Sequence, residues 1–167
     1  MMSQNNTEKI KQLIAKLTDE DSQVRSAARE ELVEMGGPEV TNALMLELLD
    51  TRPYVRWEAA KGLIPLRDDS TAASLLHAMD DEHADVRWVA GEGLVVLGRT
   101  GLMTVLSGLI RNARSVQFCQ AAHHVLNQFK KYGDADLIAP VINALEHSEP
   151  AVTVPPVAFQ ALKHLKQ

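Results

Sequence analysis

The stretches "YVRWEAAKGL" (Tyr54 to Leu63) and "DVRWVAGEGL" (Asp85 to Leu94) are near copies set 31 residues apart. A period of this size constrains a chain more than its composition does, because each unit is one supersecondary element whose copies must pack on one another. Placing Val24, Val55, Val86, Phe118 and Val154 in register aligns Ala28, Ala59, Ala90, Ala122 and Ala158 four residues on. Eight residues on stand Leu32, Leu63, Leu94, Leu126 and Leu162, and the units are spaced by 31, 31, 32 and 36 residues. Upstream, Leu17, Leu48, Met79, Ile110 and Leu145 form a further column, so each unit contains two segments.

Apolar residues three and four apart in "IKQLIAKL", "TNALMLELL", "TAASLLHAM", "LMTVLSGLI" and "LIAPVINAL" mark the first helix of each unit. The second helix carries the 0, 4, 8 column, with small residues such as Gly62 and Gly93 allowing close approach between helices. Pro38 and Pro53 suit first helical positions, while "EMGG" (Glu34 to Gly37), Gly98 and Gly133 suit the ends of second helices. One helical hairpin cannot bury its apolar stripe alone, whereas a stack buries a continuous core. The expected architecture is therefore an all-α solenoid, a right-handed superhelix of about five hairpins, over residues 8–36, 37–67, 68–98, 99–133 and 134–167. Residues 1–7 are expected to be a flexible tail, and Pro155 with Pro156 to delay the last helix.

The pattern in "DDEHADVRWVAGEGLVVLG" (Asp80 to Gly98), Asp...Val-Arg...Ala...Leu, resembles a HEAT repeat, and within that family the short variety named after phycobilisome lyases. The resemblance extends from about Glu8 to Lys166. It implies a fold more firmly than a function, since such repeats occur in scaffolds, bilin lyases, a diiron hydroxylase and DNA glycosylases.

Arg25, Arg56 and Arg87 recur with the repeat, each six residues after Asp19, Asp50 and Asp81. We read these six as a structural ladder, in which each Asp accepts turn hydrogen bonds and pairs with the Arg of its own unit. The ladder fades where Asn112 stands with Cys119 and Glu149 with Pro155. The last two units are thus atypical, one of them a cap.

Trp57 and Trp88 follow two of those arginines, and at about 100° per residue they point away from the core column. In a HEAT-type stack the second helices line the concave surface. The strip sharing the tryptophan face holds Trp57, Lys61 and Ile64, then Trp88, Glu92 and Val95, then Gln120, His124 and Asn127. Ser26, Glu30 and Val33 extend it at one end, Pro156, Gln160 and Lys163 at the other. Trp57, Lys61, Ile64, Trp88, Glu92, Val95, Gln120 and His124 are the candidate binding residues. The competing reading has the two indoles stacked on each other, or along Lys61 and Glu92, as staples between repeats.

Chemistry is sparse. No His-Glu dipeptide exists for a diiron site, adjacent His123 and His124 diverge by about 100°, and no nucleophile or phosphate-loop motif appears. Cys119 reads as a half-buried structural thiol. A net charge of -5 and a strip balancing Lys61 and Lys163 against Glu30 and Glu92 argue against nucleic acid. One cysteine and no long apolar run argue for a cytoplasmic protein without a membrane span. The reading is a non-catalytic module that uses no cofactor and binds another protein, as a helix or extended segment, on its concave face. The alternative, drawn from the family, is a tetrapyrrole-handling protein such as a bilin lyase subunit or chromophore chaperone. Solenoid ends can also stack into a homodimer.

Overall fold

The computed structural model describes residues 4–133 and 135–166. Among them lie ten α-helices: α1 (Gln4–Lys16), α2 (Ser22–Met35), α3 (Pro38–Glu47), α4 (Pro53–Leu66), α5 (Ala72–Ala78), α6 (Ala84–Val96), α7 (Arg99–Asn112), α8 (Val116–Lys131), α9 (Ala135–Glu146) and α10 (Pro150–Leu165). The tail expected over residues 1–7 lies partly outside the described residues, and residues 4–7 form the first turn of α1. Pro38 and Pro53 open α3 and α4, where a missing N–H costs nothing. Gly36, Gly37, Gly98 and Gly133 adopt positive φ between successive hairpins, a conformation that a β-carbon opposes.

Through four hairpins the second helices stack in an unbroken row. α1 packs on α3 and α5 on α7 in one layer, while α2, α4, α6 and α8 pack in sequence in the other. Ala28, Ala59, Ala90 and Ala122 are buried between layers, as are Leu32, Leu63, Leu94 and Leu126. One apolar cluster runs from Ile10 to Leu165.

The fifth hairpin departs from this order. Here the first helix, α9, packs on α8, and the second, α10, packs on α7, so the two exchange layers. The leucine column breaks as a result: Leu162 is only half-buried, and Ala161 and Leu165 take the core positions beside Val154 and Ala158. Pro156, Gln160 and Lys163 therefore do not continue the tryptophan strip. The Arg99 guanidinium donates to the Leu165 carbonyl, tying the start of α7 to the end of α10. Nor do the prolines delay α10, which is helical from Pro150 onward. The carbonyls left without a helical N–H by Pro155 and Pro156 belong to Ala151 and Val152, both exposed to water, so their loss is tolerable.

Candidate functional site

The arginine column shapes the loops beneath the site. Loops of five residues join the helices of the first three hairpins, and each uses one device. The Asp carboxylate accepts the backbone N–H two residues on, at 2.8 Å, for Asp19, Asp50 and Asp81 alike. Each Arg reaches back to two carbonyls: Arg25 to Asp19 and Glu20, Arg56 to Asp50 and Thr51, Arg87 to Asp81 and Glu82, all at 2.8–3.1 Å. The side-chain pair expected inside each unit is thus replaced by an arginine satisfying two loop carbonyls just ahead of the second helix.

The carboxylate contact is instead made between units. Arg56 binds Asp81 of the next hairpin at two points, 2.6 Å and 2.9 Å. One unit earlier, Asp50 is held by its neighbour Arg52, and Arg25 turns to Glu58 at 3.5 Å while its guanidinium covers the Tyr54 ring. Glu58, 3% exposed, also accepts from Arg29. Burial tends to raise the Asp81 pKa, but Arg56, the His83 N–H and nearby charge outweigh it and hold the carboxyl below the usual range.

Two of these loops lead into α4 and α6, whose outward faces, with that of α8, form the candidate site. Trp88 on α6 is 52% exposed and lies against His124 of α8, ring centres 3.8 Å apart and planes 30° from parallel. Its indole Nε1 donates to Glu92 at 3.3 Å, and the other oxygen of Glu92 accepts from Lys61 Nζ at 3.5 Å. Both oxygens of that carboxylate are engaged. Lys61, Ile64, Trp88, Glu92, Val95 and His124 line one groove of about 310 Å³, with Gly91, Val96 and Gln128. Gln120 lies on the other side of the Trp88 ring, in a hollow of about 160 Å³. Burial is the main cause that pushes the His124 pKa down, with Lys131 and His123 adding to it against Glu92.

Trp57 stands apart from this groove. It is half-buried against the core cluster, and the Arg29 guanidinium of α2 lies over its ring at 5.8 Å. The two indoles lean toward opposite ends of the stack, and among the described residues Trp88 stacks on His124 rather than on Trp57. The tryptophan strip left out Gly91, Val96 and Gln128. Gly91 belongs by periodicity to the core side, yet it lets α8 approach so closely that an added Cβ would stand 2.6 Å from Val125. Gln128, one turn beyond His124, was legible from spacing alone and places its amide 3.4 Å from that ring.

A family model described as HEAT repeats matches residues 10–95, just over half of the 167 residues. The chain belongs to the HEAT-repeat family. No curated protein matches the sequence. In this HEAT-repeat protein the matched region covers the Trp57 and Trp88 helices and stops at Val95, inside the groove lining. No group of three His, Cys, Asp or Glu side chains among the described residues is placed to hold a metal ion. None of the described helices is long and apolar enough to cross a membrane. A larger hollow, about 830 Å³, opens between the start of α8 and the α9–α10 turn, lined by Val116, Cys119, His123 and Val152 among others. Burial pushes the Cys119 thiol up, so it stays protonated and unreactive at neutral pH.

Proposed function

We propose that this HEAT-repeat protein is a non-catalytic, cytoplasmic interaction module that receives one large apolar side chain of a partner protein segment in the Trp88 groove. A HEAT-repeat stack suits a scaffold role because its helices are preformed and lose little entropy on binding. The observation that carries the reading is the half-exposed Trp88, held upright by His124 on one side and Glu92 below, over an apolar floor of Ile64 and Val95. An aromatic anchor fixed before binding is what a hot spot requires. Lys61 and Glu92 form the polar rim, and Gln120 extends contact past the ring. Trp57 serves as a staple between the first two hairpins.

The likeness to the phycobilisome-lyase variety rests on the Val-Arg...Ala...Leu column. At about 310 Å³ the groove is at the small end of ligand pockets, which favours a side chain over a four-ring tetrapyrrole. Selection of displayed peptides on the purified protein tests the proposal. Enriched sequences should share a bulky apolar residue and lose binding to Trp88→Ala and Val95→Glu. Enrichment indifferent to both substitutions would sink it, and a bilin whose visible absorbance shifts with wild type but not with Trp88→Ala would favour the tetrapyrrole reading instead.

A further inference from the structure

The exchanged layers of the last hairpin leave one face of α10 uncovered. Val154, Ala158, Ala161 and Leu165 turn inward. At about 100° per residue, the side chains opposite them are Val152, Pro156, Phe159 and Lys163, with the capping residues Glu149 and Lys166 at the two ends, all exposed. Val152 is 67% exposed and Phe159 53%, among the most exposed large apolar side chains described. The six residues are spaced alternately three and four apart, the period of a helix–helix seam. Moreover the seam is ordered by charge: acidic Glu149 at its start, three apolar residues in its middle, basic Lys163 and Lys166 at its end.

We propose that this seam is the docking surface for a second copy of the chain, α10 against α10 in antiparallel register about a two-fold axis. Charge decides both the partner and the direction. Antiparallel pairing sets Glu149 of each copy beside Lys163 and Lys166 of the other and lets Pro156 meet Phe159 at the centre, with Val152 covered by the Lys163 stem. Parallel pairing would put like charges together at both ends. Head-to-tail stacking of α10 on α1 lacks an apolar counterpart, since the exposed positions of α1 include Glu8, Lys9, Lys11, Gln12 and Lys16. A self-complementary patch makes a closed dimer. One pair of helices is a small interface, so the dimer forms reversibly with concentration.

Sedimentation velocity over about a hundredfold range of concentration tests this. The weight-average mass should climb from the 18.4 kDa of one chain toward twice that value. Phe159→Glu, an exposed position whose replacement leaves the core untouched, should hold the protein monomeric. Glu149→Lys should weaken association about tenfold, and adding Lys163→Glu and Lys166→Glu to it should restore wild-type association. Circular dichroism melts confirm that each variant is folded. A single 18.4 kDa species at every concentration overturns the proposal. So does association that survives Phe159→Glu, or one abolished by Trp88→Ala, which would place the contact at the groove.

Discussion

Arg56 and Asp81 join two successive hairpins through a two-point ion pair, Nε to Oδ2 at 2.6 Å and Nη2 to Oδ1 at 2.9 Å, with Arg56 only 8% exposed. The same guanidinium holds the Asp50 and Thr51 carbonyls, so one side chain closes its own loop and fastens the next. Asp81→Ala removes the second task, together with the turn bond from the His83 N–H, and leaves the first. The expected loss is about 2 kcal/mol of unfolding free energy, the scale for a charge-assisted bond, measured by urea denaturation.

The acid limb of stability follows from the same carboxylate. Asp81 has a folded-state pKa below its unfolded one, so its contribution is present above the unfolded value near 3.9 and is lost as pH falls through the lower folded value. Thermal melts across that acid window should show wild type losing more stability than Asp81→Asn. Equal slopes would mean that the pair does not link to protons.

His124 works in a higher pH range with the same sign. Its pKa is lowered in the fold, chiefly by burial, so the unfolded chain takes up a proton first as pH falls below about 6.5. Between about pH 7.5 and pH 5.5, wild type should lose melting temperature that His124→Gln retains.

The two tryptophans should separate cleanly in single-tryptophan proteins. With Trp57→Phe, the remaining Trp88 should emit as wet indole and be quenched efficiently by acrylamide. With Trp88→Phe, Trp57 should emit to the blue and be protected. In stability, Trp57→Ala should cost about 2 to 3 kcal/mol and Trp88→Ala about 1 kcal/mol or less.

Gly101 is the least replaceable small residue. A Cβ there would stand 1.8 Å from the Leu94 carbonyl oxygen, a backbone atom that cannot rotate away. At Gly62 the nearest atoms are side-chain carbons of Leu44 and Arg29, at 3.1 and 3.3 Å. Gly101→Ala should therefore lose more than about 2 kcal/mol despite better helix propensity, while Gly62→Ala should stay within about 1 kcal/mol of wild type. Chemical denaturation of the two variants decides between them.

The helical hairpins could be read from spacing because a buried alanine and leucine must recur wherever one layer touches the other, and Ala28, Ala59, Ala90 and Ala122 do so without exception. The exchange of α9 and α10 could not. Val154 and Ala158 stay buried in either arrangement, and only Leu162 against Leu165 distinguishes them. Loop chemistry was legible for the Asp turns, whose partners lie two residues away. It was misread for Arg25 and Arg56, whose carboxylate partners, Glu58 and Asp81, stand in the following unit. On the groove, periodicity located Lys61, Ile64, Trp88, Glu92, Val95 and His124 on one face. It had no means of telling that the Trp57 ring bends back under Arg29, because that depends on a side chain from the preceding hairpin.

The walls of the Trp88 groove come from α4, α6 and α8, one helix from each of three successive hairpins. Its width is consequently a measure of how tightly the stack is wound, as the gap between the coils of a spring reports its tension. A side chain seated beside Trp88, as proposed above, would touch three successive hairpins at once and so hold them at one spacing.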